Sequence, residues 1–192
     1  AKRMVSFGAD AIIIEGMEAG GHVGHVSLTV LLQQILFEFD DVPIFVAGGI
    51  ASGRMAAHLF LMGASGVQMG TVFAVSKESC AHDRFKQTFI RANARQAIST
   101  PQYDSRLPVV AVRALRNKAH DEFGQLQLDL IRRLDAEEIS RSEAQDQVEN
   151  FWIGSLREAV INGDVDAGSL MAGQSVGLIT KDRSVAEIFD DI

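Results

Sequence analysis

The chain has 192 residues, 47% hydrophobic, 22% charged and 7% aromatic, a balance that excludes a wholly disordered or collagen-like polypeptide. Acidic side chains outnumber basic ones by 25 to 18, for a net charge of −7, and no dense basic block exists to displace counterions from nucleic acid. No apolar run approaches the ~20 residues of a transmembrane helix, AKRMVSFGAD lacks a signal-peptide core, and a lone Cys80 suits a reducing compartment.

The expectation is therefore a soluble, cytoplasmic protein that binds neither nucleic acid nor membrane. Its length fits one domain, or one domain with a small annex. The chain does not begin with Met, and Ala1 is expected to open in mid-element.

The first two-fifths alternate short apolar runs with helical patterns, as parallel α/β units do. Ala11-Ile12-Ile13-Ile14 is an apolar, largely β-branched run that predicts a strand buried on both faces. Leu28, Leu31, Leu32, Ile35, Leu36 and Phe39 then share one helical face, with Ser27 as N-cap. Pro43 introduces a second strand, Ile44-Phe45-Val46-Ala47, which stops at Gly48-Gly49. Ser52 caps a helix carrying Met55, Leu59 and Met62, closed by Gly63. A third strand, Val67-Gln68-Met69, ends at Gly70-Thr71.

Beyond Thr71 the pattern changes. Residues 81–96 read as a helix with Phe85, Phe89 and Ala92 on one side. Pro101 and Pro108 punctuate a loop, and residues 109–112 read as extended. Two amphipathic helices follow, about 118–134 and 142–162, joined by a charge-rich link over 135–147. A glycine-dotted stretch from 163 to 177 leads to a final helix capped by Ser184. Helices without intervening strands predict an annex on the α/β part.

Three strand ends carry glycine clusters: Ala19-Gly20-Gly21-His22, Gly48-Gly49-Ile50 and Gln68-Met69-Gly70-Thr71. In parallel α/β proteins ligands bind at the C-terminal ends of strands. Glycine there lets backbone N–H groups approach an anion, and a following helix N-terminus helps hold it. One Gly-Gly is explained by a tight turn. Two on successive strands, the second followed by the hydroxyl of Thr71, match the phosphate site of a (β/α)8 barrel. No Gly-x-Gly-x-x-Gly or Walker loop follows any strand.

His22, in its glycine-flanked loop, is the residue best suited to proton exchange near neutrality. His25 lies three residues on without a Cys or carboxylate at fitting spacing, so no metal site is expected. His58, His82 and His120 fall on predicted helices as surface or packing residues, and Cys80 has no activating partner. Met17, Met69 and Met171 fill core, or wall a flat ring.

Gly8-Ala9-Asp10-Ala11 running into Glu15-Gly16-Met17-Glu18-Ala19-Gly20-Gly21-His22-Val23-Gly24 resembles the flavin-dependent nitronate monooxygenase (2-nitropropane dioxygenase) family, nearest its enoyl-acyl-carrier-protein reductase II branch. Ala47-Gly48-Gly49-Ile50-Ala51, residues 67–73, 77–79 and 111–117, and Ser169-Leu170-Met171-Ala172-Gly173-Gln174 match collinearly, so the resemblance covers essentially the whole chain.

The resemblance implies an FMN-binding TIM (β/α)8 barrel, here about three C-terminal strands, plus an inserted helical substrate domain. Residues 1–79 would be barrel, 80–160 the substrate-binding insertion, and 161–192 a return segment packing on the barrel. It implies that Gly48, Gly49, Gly70 and Thr71 hold the FMN phosphate. Ala19, Gly20, Gly21, Ile50, Gln68, Met69, Met171, Gly173 and Gln174 would line the cofactor, and His22 would be the catalytic residue.

The implied activity is reduction of small-molecule or acyl-carrier-protein-bound enoyl thioesters with NADH or NADPH. The alternatives are oxidation of alkyl nitronates with O₂, and a non-catalytic half-barrel. A homodimer is a candidate assembly.

Overall fold

The structure is a computed structural model that describes residues 1–39 and 42–192. A short helix α1 (Lys2–Ser6) leads through the left-handed Gly8 into β1 (Ile12–Glu15) and a two-residue β2 (Gly21–His22). Helix α2 (Leu28–Ile35), β3 (Ile44–Ala47), α3 (Gly53–Leu61) and β4 (Gly66–Gln68) complete the α/β part. Strands β1, β3 and β4 form a parallel sheet with β3 central. Its register pairs Glu15 with Ala47 and Ala47 with Gln68, so all three strands end level with one another.

The sheet is covered on one face. Ile12, Ile14, Ile44 and Val46 bury against Leu28 and Leu32 of α2 and Leu59 of α3. The expected burial of β1 on both faces is not found: Ile13 is 60% exposed and Phe45 37%. Strand alternation sends these two to the opposite face, where no element among the described residues packs.

Helix boundaries differ where side chains compete for the backbone. Ser27 occupies the N-cap of α2 without bonding it; the Glu18 carboxylate instead accepts Leu28 N–H at 3.0 and 3.3 Å. That helix ends at Ile35, before Phe39. Ser52 does cap α3, accepting Met55 N–H at 3.3 Å, and Gly63 closes it with φ +108°.

After the one-turn α4 (Thr71–Ala74), the expected helix over 81–96 is α5 (Asp83–Arg91) plus a separate 3-10 turn, Ala94–Gln96. The imidazole of His82 caps α5 by accepting Arg84 N–H at 3.1 Å.

The annex is not strandless. β5 (Ala97–Ser99) and β6 (Val112–Leu115) form an antiparallel sheet with β2, in the order β2-β6-β5. His22 pairs with Val112, and Arg113 lies between Gly21 and Ser99. Regular strand pairing begins at Val112, and Ala111 continues it by accepting Val23 N–H at 2.9 Å.

Helix α6 (Lys118–Asp135) follows as expected, but the single helix over 142–162 is two, α7 (Arg141–Asn150) and α8 (Ser155–Val160). They are separated by a turn with Gly154 at φ +80°, a conformation that ends a helix. The final α9 (Val185–Phe189) starts with a reciprocal Ser184–Glu187 capping box.

Two further apolar clusters complete the core. One joins Val72, Phe85, Phe89, Ala172, Val176 and Ile188, so the return of the chain packs under α4 and α5. The other gathers Leu107, Phe123, Leu130, Ala144 and Val148 inside the annex, with Phe151 and Trp152 against it.

Candidate active site

The level ends of β1, β3 and β4 open on a cleft of about 300 Å³. Its wall contains Ala19, Gly20, Gly21, Gly48, Gly49, Ile50, Gln68, Gly70, Thr71, Met171 and Gly173, eleven positions singled out from the sequence. Glu15, Ala47, Ala74 and Ser175 also line it and were not anticipated. Glu15 could have been found from strand alternation, since it ends β1 on the same face as Ile13. Two expected cofactor positions do not reach the wall. Met69 packs between the two core clusters on either side of β4, and Gln174 opens a 3-10 turn with its N–H given to the Glu18 carbonyl at 2.9 Å.

Backbone conformation shapes the cleft floor. Gly48 and Gly49 are consecutive left-handed residues, φ +98° and +73°, which side chains disfavour. A Cβ on Gly48 would lie 3.0 Å from the Gly16 carbonyl oxygen, and one on Gly49 3.1 Å from Glu18 Cβ. At Gly70 a Cβ would meet nothing within 4 Å, so that glycine leaves open space beside the cleft.

The far wall is the return segment. Thr71 Oγ1 accepts Gly173 N–H at 3.0 Å. A Cβ on Gly20 would lie 2.5 Å from backbone atoms of Ala172 and Gly173, so the two segments meet main chain to main chain.

His22 does not line this cleft. Its exposed imidazole joins a second pocket of about 310 Å³, walled largely by Val109, Val110, Val112, Phe123, Val148 and Trp152. Met171 lines both spaces and stands where they adjoin. Pairing of His22 with Val112 is what directs the histidine to the annex side.

On the cleft side, burial pushes the Glu15 carboxyl above the ordinary carboxylate value, and the neighbouring His22 opposes that shift. His120 is a packing residue on α6, as expected. It is buried against Trp152 with neither ring nitrogen bonded, and burial lowers its pKa. His58 and His82 bond to local backbone.

A family model described as nitronate monooxygenase matches residues 1–192, the whole chain. The chain belongs to the nitronate monooxygenase family. Among solved structures it is similar to FabK from Thermotoga maritima, with a TM-score of 0.81 and 37% identity over 99% of this chain and 55% of that one. It is also 29% identical to a probable nitronate monooxygenase of Staphylococcus aureus strain JH9, over 90% of this chain and 47% of the relative.

A Rhodococcus jostii protein named (3aS,4S,5R,7aS)-5-hydroxy-7a-methyl-1-oxo-octahydro-1H-indene-4-carboxyl-CoA dehydrogenase is 43% identical over 90 residues, 47% of this chain and 25% of the relative. The chain thus spans about half the length of FabK and of the staphylococcal family member. Within the family fold, its parallel sheet corresponds to part of a TIM barrel.

Proposed function

We propose that this chain contributes the C-terminal strands and substrate-binding annex of an FMN-dependent oxidoreductase that reduces 2-enoyl thioesters with NADH or NADPH. One observation carries the reading: a donor-rich cleft and an apolar pocket bearing His22 adjoin at Met171. In this reading residues 1–79 are barrel, 80–160 bind substrate, and 161–192 return to wall the cofactor.

The cleft fits the phosphate end of FMN. The N–H groups of Gly49, Ile50 and Gly70 donate to no other backbone group among the described residues, and all three residues line the cleft. Thr71 accepts from Gly173 and keeps its own O–H to give to a phosphate oxygen. Helix α3 begins just beyond Ile50, adding the positive end of its dipole.

When bound, FMN supplies a two-electron carrier between NAD(P)H and the enoyl β-carbon. The chain's own residues do the rest. The apolar pocket holds the acyl group and keeps water from it. His22 donates to the thioester carbonyl oxygen, or gives the proton that completes reduction at the α-carbon. Glu15, whose carboxyl is pushed above the ordinary carboxylate value, lies on the cleft side of His22.

The family model and the staphylococcal relative favour a second reading, in which His22 positions an alkyl nitronate for oxidation with O₂. Steady-state assays of the intact gene product with crotonyl-type thioesters and with alkyl nitronates separate the two. NAD(P)H-dependent thioester reduction is expected; turnover of nitronates alone would overturn the reductase reading. Thioester on a small thiol and on acyl carrier protein can be compared in the same assay.

A further inference from the structure

A charged side chain that the cofactor and the chemistry leave unused is Arg113. It is 5% exposed, in the middle of β6, the central strand of the antiparallel sheet. Its guanidinium has one acceptor outside that sheet and one on the neighbouring strand β5. Nε–H donates to the Met17 carbonyl at 3.0 Å, and Nη1–H donates to the Ala97 carbonyl at 2.6 Å. Its backbone meanwhile pairs with Gly21.

One residue therefore grips both ends of the Met17–Gly21 stretch, side chain on the first residue and main chain on the last. His22 follows immediately, in register with Val112.

Met17's neighbour Glu18 is tied down just as heavily. Its carboxylate takes the first N–H of α2, its carbonyl takes Gln174 N–H, and its charge favours the ionised form of Arg113. Burying a guanidinium is expensive, and burial lowers the Arg113 pKa; two of its N–H groups are bonded to carbonyls and the Glu18 charge offsets part of the cost. Arginine rather than lysine suits the place, because its rigid planar fork aims Nε–H and Nη1–H at two separate carbonyls in fixed directions.

We infer that Arg113 is a positioning residue: beside the half-buried Glu18 it forms a buried strut that sets the Met17–His22 loop against the annex sheet, and so fixes His22 on the pocket next to the cleft. It touches neither the cleft nor the pocket wall. The consequence for turnover rests on the reading that His22 meets the substrate; the consequence for the loop does not.

The test uses the intact gene product with FMN, as wild type, Arg113→Met and Arg113→Lys. Amide hydrogen exchange is expected to rise at least about tenfold over residues 17–24 in Arg113→Met, with α6 unchanged, as for a local opening. Flavin content should stay at the wild-type level, since the phosphate is held at β3 and β4. Reoxidation of reduced flavin by enoyl thioester should slow by about a hundredfold, the scale of a small misplacement, while flavin reduction by NAD(P)H holds. Arg113→Lys should recover part of both effects, and it decides the matter if Arg113→Met does not fold.

Unchanged exchange in the loop, or exchange raised equally throughout the chain, would overturn the strut. A loosened loop in a protein whose wild type reduces no enoyl thioester would uphold the strut and overturn the functional reading instead.

Discussion

At the residue scale the two histidines of interest are separated by their surroundings. His22 is exposed on an apolar pocket beside the cleft, whereas His120 is buried and packs on Trp152. For His22→Ala, flavin content should hold, because the phosphate donors lie elsewhere. Reoxidation by the electron-accepting substrate should fall about 10²–10⁴-fold, the usual cost of a positioned acid–base group. Flavin reduction by NAD(P)H, which needs no proton from this residue, should change far less. Stopped-flow measurement of both half-reactions decides it, and equal slowing of the two would make His22 structural.

His120 gives a pH signature. Burial depresses its folded pKa below the ~6.5 of the unfolded chain, so its contribution to stability is complete above about pH 6.5 and is lost as pH falls from there through the folded value. In His120→Phe the drop in melting temperature on acidification should shrink. At neutral pH the variant should melt close to wild type, since no hydrogen bond to the ring is removed. An unchanged acid limb would place the titrating group elsewhere.

At the scale of elements, the turns after β3 and β4 carry the cofactor proposal, and they differ as experimental targets. Gly49→Val would strain a left-handed backbone and press on Glu18, so lost flavin there mixes fold with site. Gly70→Val is cleaner: its φ is −100° and its Cβ meets no neighbour, so the branch projects into open space at the cleft. Flavin titration should show retention abolished in Gly70→Val at near wild-type melting temperature. Normal flavin content in that variant would move the phosphate site.

The same turns show what the sequence made legible. Gly-Gly-Ile and Gly-Thr sit at strand ends where continuous apolar runs stop, so the cleft floor could be read locally, while Met171 and Gly173 of its far wall came from the family resemblance. The antiparallel sheet could not. Gly21 and His22 carry no strand signal of their own; they are extended because Val112 and Arg113, ninety residues on, hold them. That pairing puts His22 on the annex pocket beside the cofactor cleft. The capping of α2 by Glu18 escaped for a like reason, since a tertiary partner replaced the local Ser27 cap, whereas the break between α7 and α8 is local, with Gly154 in the left-handed region.

At the scale of the molecule, the parallel sheet buries one face and leaves Ile13 and Phe45 open on the other. In an eight-stranded barrel that inner face packs against the remaining strands. Expressed by itself, the 192-residue chain should bind a hydrophobic dye and hold FMN weakly. Tight stoichiometric uptake of FMN by that chain would show that the three strand ends and the return segment suffice.

The reductase reading meets its most direct test in single turnover. The intact gene product is reduced by NADH or NADPH without oxygen and then mixed with a 2-enoyl thioester, while the visible flavin band and the saturated product are followed together. Return of the oxidised band at a rate equal to appearance of the saturated thioester is the expected result. A flavin that stays reduced with enoyl thioesters of every length, in a protein whose oxidised form takes electrons from alkyl nitronates, would contradict it.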